Sequence, residues 1–351
     1  MFDIAHDVHR WLADGQDVTL ARVVSVSGLG STAISRAVAR SVTGDVAGGL
    51  LDSAADDQVT AALRESSAAA LVDVAVSDEQ AVAAGLVCGG RAQLVVQPAA
   101  DVPQPAWDLL RRREPVCLVT DLEGAAVGRT TWFTHAATTD GASHAVAEPT
   151  RHTPDVVRLF GRGSSLTATT RTAAGEAVLV EALWPTPRVV VVGDGLLAEA
   201  LARQGALLDW QVRVCTAVAD GVAAVTGLTR GDAVVVLSHD RDVDGPVLQA
   251  ALAGRAGYVA GLGSRRTQAA RAGWLRDRGV PDDVAARVHG PAGLDIGART
   301  PAETALSILS EALAVRTGTD GRPLRERGGP VHVDGLNTPP PRYEVSPTSA
   351  V

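Results

Sequence analysis

Lysine does not occur in this chain, aromatic residues fill only 3% of its 351 positions, and cysteine appears three times. Each scarcity excludes something. Cys88, Cys117 and Cys215 lie far apart, so no disulfide framework is expected, and the sequence contains no CxxC or HxxxH spacing for a protein-built zinc site. Such sparse cysteine usage fits a reducing compartment. No basic block stands out and the net charge is −8, which argues against nucleic acid as a partner. No apolar run is long enough to span a bilayer. Asp3, His6, Asp7 and His9 stand where a signal peptide would carry a basic flank followed by an apolar stretch. A soluble, cytoplasmic protein without a membrane partner is expected.

What is present supports two domains of ordinary size with a real core: 46% of residues are hydrophobic, mostly Ala, Val and Leu. Ile4, Val8, Trp11 and Leu12 share one face of an opening helix. Strands are expected at 18–26, 71–76, 91–97 and 116–120, and helices near 56–66 and 106–112. The mixture has no βαβ rhythm, so 1–145 reads as an α+β domain. Residues 146–187 read as a connector with some strand content, including a strand at 176–181. From 188 to 316 the pattern changes to valine-rich strands (189–192, 211–215, 233–237, 258–262) separated by helices (196–208, 247–253, 264–278). Apolar strands of that kind are buried on both faces and imply a doubly wound, Rossmann-like parallel sheet. Residues 317–351, rich in Gly, Pro and Arg, read as a disordered tail.

The first strand of the second domain runs into Gly193-Asp194-Gly195-Leu196-Leu197-Ala198, a GxGxxA turn opening a helix. Gly193 permits the tight turn, Gly195 lets backbone approach a phosphate, and Ala198 allows close helix–strand packing. Two features pull the other way: Asp194 places a carboxylate beside that phosphate, and the next strand ends in Cys215-Thr216 where an acid would hold a ribose. A purely structural turn is the alternative.

Ligands of open parallel sheets sit beyond the carboxyl ends of the strands. Three polar groups fall there: Ser238-His239-Asp240, Gly263-Ser264-Arg265-Arg266, and the loop that carries Asp295 and Arg299. The arginines suit an anionic ligand, while His239 and Asp240 suit positioning or proton transfer. An internal ion-pair network among Asp240, Asp295 and the arginines is the competing reading. Thr300-Pro301-Ala302-Glu303 reads as a capping box for the last helix.

These segments resemble the XdhC/CoxI family. Leu237-Ser238-His239-Asp240 with Asp244, Tyr258 through Arg266, and Val288 through Glu303 are similar to three of its motifs, in order after the GxGxxA turn. In the first domain Gly30-Ser31-Thr32 and Cys88-Gly89-Gly90 resemble two more. The resemblance implies an accessory protein that is not itself an enzyme. It would hold the molybdenum cofactor, as molybdopterin or its dinucleotide, and hand it to a molybdenum hydroxylase such as xanthine dehydrogenase. It also implies a cysteine desulfurase as sulfur source and a homodimer. The cofactor-binding residues it implies are Gly30, Ser31, Thr32, Cys88, Gly89, Gly90, Gly193, Gly195, Ala198, His239, Asp240, Ser264, Arg265, Arg266, Asp295 and Arg299, with no metal ligands and no assigned catalytic residue. The chain departs from the family's patterns at Ala33–Ala37, where prolines are usual, at Ala54 in place of a cysteine, at Leu196 in place of a histidine, and at Thr216 in place of an acid. An NAD(P)-dependent oxidoreductase and a scaffold that has lost its cofactor remain open as alternatives. Cys117 and Cys215 read as core, and Cys88 reads equally as core or as a ligand-facing thiol.

Overall fold

A computed structural model of the chain separates into two compact units, one with its last strand ending at Leu183 and the other continuing from Trp184. It describes residues 1–28, 37–65, 68–86, 88–137, 143–145, 160, 165–172, 175–238 and 240–326. Most of the expected tail, from 327 on, lies outside the described residues.

The first unit contains α1 (Ala5–Ala13), β1 (Val18–Ser27), β2 (Ala37–Ser41), β3 (Val46–Gly48), α2 (Asp56–Glu65), β4 (Ala70–Val76), α3 (Asp78–Ala83), β5 (Gly90–Pro98), α4 (Gln104–Arg111), β6 (Val116–Asp121), β7 (Thr130–Ala137), β8 (Ser143–Ala145), β9 (Leu166–Arg171) and β10 (Ala177–Leu183). Two antiparallel sheets result, ordered β3-β2-β1-β5-β4 and β8-β7-β6-β10-β9. Side chains alternate across a strand, and β1 uses both faces. Ala21 and Val23 pack with Val59, Leu63 and Ala81 beneath α2 and α3. Val18, Leu20 and Val24 face the second sheet, with Leu118, Leu179 and Leu183 opposite.

Between those sheets lies a buried ion pair. Arg22 is 0% exposed and binds Glu181 through Nη1, while its Nη2 donates to Gln97 Oε1 (2.6 Å) and Thr120 Oγ1 (2.9 Å). β9 and β10 fall in the span expected to be a connector. All seven residues of β10 are buried, and it pairs with β6 over 178–183, so this segment is core of the first unit.

The second unit contains β11 (Arg188–Val192), α5 (Gly195–Leu207), β12 (Gln211–Cys215), α6 (Val218–Val225), β13 (Ala233–Val236), α7 (Arg241–Ala253), β14 (Tyr258–Gly261), α8 (Arg265–Arg276), α9 (Asp282–Ala285), β15 (Val288–His289) and α10 (Pro301–Thr317). All strand pairs are parallel, in the order β12-β11-β13-β14-β15. Alternation again assigns the faces. Val189, Val191, Val235 and Ala260 pack with Leu201 of α5 and Ile308 of α10. Val190, Val192, Val236 and Val259 pack with Val225, Val247 and Leu275 of α6, α7 and α8. Helices on both faces of a parallel sheet make this the expected doubly wound α/β fold.

Candidate functional site

Taken in chain order, the five parallel strands of the second unit lie 2-1-3-4-5, so the chain reverses direction across the sheet between β11 and β13. The crevice beyond the carboxyl ends at such a reversal is where open α/β sheets take ligands. Backbone bonds continue the ladder past every strand end: Gly193 N to Cys215 O (2.9 Å), Leu237 N to Val192 O (2.8 Å), Leu262 N to Val236 O (2.8 Å) and Ala292 N to Gly261 O (3.2 Å). The rim carrying the predicted residues is thereby one connected edge.

At the reversal point the backbone demands glycine. Gly193 has φ +132°, and a Cβ there would lie 2.9 Å from Leu237 Cβ. The helix that follows starts uncapped: Asp194 is its N-cap, yet the Asp194 side chain makes no capping hydrogen bond. The first N–H groups of α5 therefore keep their donor capacity and the positive end of the helix dipole. Ala198 is buried in the core and gives the close helix–sheet contact that the motif requires. Leu196, where the resemblance has a histidine, is 67% exposed.

The next two predicted groups differ in their engagement. Ser264 caps α8, accepting from Thr267 N at 3.3 Å. Arg265 and Arg266 follow in its first turn, both exposed and without an ion pair among the described residues. Arg299 and Asp295 are likewise exposed and side-chain-free of partners among the described residues. A different pair forms at this edge: Arg271 and Asp244, 3% and 1% exposed, are joined inside it. Asp240 N donates to Ser238 Oγ at 2.9 Å, and His239 lies outside the described residues. The helix α10 differs from α5 in being closed: Thr300 Oγ1 accepts from Glu303 N (3.2 Å), and Glu303 Oε2 accepts from both Thr300 N and Arg299 N (2.8 Å each). The expected capping box is present, with Pro301 in the first turn.

In the first unit Cys88 is exposed and its Sγ donates to Gly28 O at 2.5 Å, while Gly89 N donates to Asp78 Oδ1 at 2.8 Å. Gly90 opens β5. Of the two readings for this cysteine, burial in the core is excluded; Cys117 and Cys215 are buried as expected. Ala54, at the place of the second family cysteine, is packed into the core beside Val59. Gly30, Ser31 and Thr32 lie outside the described residues. Among the described residues no group of three or more His, Cys, Asp or Glu could hold a metal ion, and no helix is long and apolar enough to cross a membrane.

Comparison with known proteins matches residues 189–312 to the XdhC Rossmann domain. Residues 189–312 thus form an XdhC-type Rossmann domain. Two proteins of Escherichia coli (strain K12) are each 30% identical to 38% of the chain: the uncharacterized protein YqeB over 157 residues, and the molybdenum cofactor insertion chaperone PaoD over 132 residues. The matches span 28% and 41% of those relatives' own lengths. A crystal structure of a xanthine dehydrogenase from Bacillus halodurans superposes with a TM-score of 0.41 at 16% identity, covering 90% of this chain and 96% of that one.

Two hubs of the XdhC domain were not legible as site residues. One is Arg271. The other is Glu311 on α10, which accepts from Tyr258 Oη (2.6 Å) and Gly293 N (2.7 Å) through Oε2, and meets His289 Nδ1 (3.1 Å) through Oε1. It thus ties β14, β15 and the Asp295–Arg299 loop to the last helix. Burial works against the Glu311 charge, but the hydrogen bonds from His289, Tyr258 and Gly293 outweigh it and hold the carboxyl below its ordinary value. Burial, together with the Glu311 carboxylate, pushes the Tyr258 hydroxyl up, so it stays a donor.

A carboxyl depressed in the folded state stabilises above its unfolded pKa, and that contribution is lost as pH falls through the folded value. Glu311→Gln is accordingly expected to cost about 1.5–3 kcal/mol at neutral pH, the range for hydrogen bonds to a charged group. The difference between variant and wild type should shrink once the pH drops below the ordinary carboxylate range. Urea unfolding across that range checks it, and a deficit that stays constant into acid would refute it.

Proposed function

We propose that this protein is an accessory factor that holds the molybdenum cofactor, as molybdopterin or its dinucleotide, and passes it to a molybdenum hydroxylase such as xanthine dehydrogenase. The observation that carries the reading is the set of unengaged cations, Arg265, Arg266 and Arg299, on the same carboxyl edge as the uncapped start of α5. Guanidinium groups grip phosphate in bidentate fashion, and free helix N–H groups receive the same charge. PaoD, a molybdenum cofactor insertion chaperone, points the same way.

The cofactor is cargo here, so the chain's work is to bind and release. Arginines at the rim take the phosphate end. Taken by itself, the exposed Cys88 thiol of the first unit is a soft donor suited to molybdenum or to a sulfur-bearing ligand. A cysteine desulfurase as sulfur source and a homodimeric state complete the reading. NAD(P) has less support, because β12 ends in buried Cys215, followed by exposed Thr216, where an acid would bind the ribose hydroxyls.

The test is loading. The full chain is incubated anaerobically with molybdopterin, passed over gel filtration, and assayed for pterin fluorescence after oxidation. Pterin is expected to travel with the protein and to activate an added apo-hydroxylase. Binding of NAD or NADP with no pterin retention would overturn the proposal in favour of a dinucleotide enzyme.

A further inference from the structure

We infer that Arg271 is the positioning residue of the anion site, setting the spacing between the two strand-end loops that carry it. The inference rests on the reading of this edge as the cofactor's phosphate site. Arg271 lies in the middle of α8, yet it is 3% exposed and spends its guanidinium in three directions. Nε donates to Asp244 Oδ2 of α7 at 2.8 Å, and Nη2 reaches the same oxygen. Nη2 also donates to Ser238 O at 2.7 Å, and Nη1 donates to Leu262 O at 2.6 Å. Those carbonyls belong to the residues just past β13 and β14. One loop runs on to Asp240, the other through Gly263 to Ser264, Arg265 and Arg266.

A planar fork is the group that can hold two carbonyls and a carboxylate at once in fixed directions; an ammonium on a flexible stem cannot. The sequence makes room for it at Gly261, where a Cβ would lie 2.6 Å from Arg271 Nη1. A buried ion pair is weak evidence of stabilisation, since apolar residues of like volume often serve as well. What apolar residues cannot do is tie the 238–240 loop to the 262–266 turn. Arg271 touches no ligand in this account and acts through Arg265 and Arg266.

The test uses the full chain and four proteins: wild type, Arg265→Ala/Arg266→Ala, Arg271→Lys, and Arg271→Met/Asp244→Leu. Each is titrated with molybdopterin and melted thermally. Arg271→Lys keeps a positive charge opposite Asp244, so it holds the fold while losing the two-carbonyl fork. Both Arg271 variants are expected to bind pterin roughly 10-fold more weakly, with lysine giving no rescue, and the double swap should do so at a melting temperature near wild type. Affinity within about twofold of wild type in either folded Arg271 variant, while the Arg265/Arg266 variant loses binding, would overturn the positioning role and leave the site reading intact. Failure of the wild type itself to hold pterin would overturn both.

Discussion

Glu181→Ala is expected to destabilise the first unit by about 3–5 kcal/mol, because it strands the Arg22 guanidinium, 0% exposed, between two sheets. For a unit of this size that is a fall in melting temperature of roughly 6–20 °C. Gln97 Oε1 and Thr120 Oγ1 remain as acceptors, but neither carries charge. Removing both partners is a different experiment. Arg22→Met/Glu181→Leu takes away the charges together and leaves apolar volume facing Val24, Leu118 and Leu179, so it should cost far less than the single change. The wild-type pair is itself imperfectly satisfied, since Arg22 Nε has no hydrogen-bond partner among the described residues. As a control, Asp7→Ala breaks a pair whose members are 38% and 57% exposed and should move stability by less than about 1 kcal/mol. Equal losses from the Glu181 and Asp7 variants would show that the buried pair is not uncompensated when broken.

The strands differ in how far they could be read from the sequence. Val189–Val192 and Ala233–Val236 announce themselves because both of their faces are buried, which leaves an unbroken apolar run. Gln211–Cys215 was expected to be buried on both faces like these, but it is an edge strand with polar residues interleaved and only Cys215 fully buried. β2, β7 and β9 carry Arg, Thr and Ser through much of their length and gave no periodic signal; tertiary pairing with β1, β6 and β10 makes them strands.

At the candidate site the exposed arginines were legible because a Gly-Ser turn before a helix is itself a signal. Arg271 was not. In Gln268-Ala269-Ala270-Arg271-Ala272-Gly273-Trp274-Leu275 it reads as one more polar residue on a solvated helix. The clue available was its spacing of four from Leu275, which puts both on the face that turns out to be buried. Glu311 was missed likewise, four residues before Val315 on a helix whose apolar positions surround it.

Arg265→Ala/Arg266→Ala is expected to abolish most of the pterin retention while leaving the fold untouched. Each arginine lost to a phosphate contact costs about 1.5–3 kcal/mol, or roughly 10- to 100-fold in affinity. Neither side chain has an ion pair among the described residues, and both are exposed, so their removal should alter stability by no more than about 0.5 kcal/mol. That combination separates a binding role from a structural one, because an arginine used for folding would lower both quantities together. Salt gives a second axis: a site built on guanidinium and phosphate weakens as ionic strength rises, and the double variant should lose most of that dependence along with its affinity. Retention and salt dependence both equal to wild type would mean that the anion is held elsewhere. The uncapped start of α5, with Gly193 pressed against Leu237, would then have to carry the phosphate alone. There the Asp194 carboxylate works against the same charge that the helix dipole attracts. This repulsion is the physical reason for expecting the arginines to dominate.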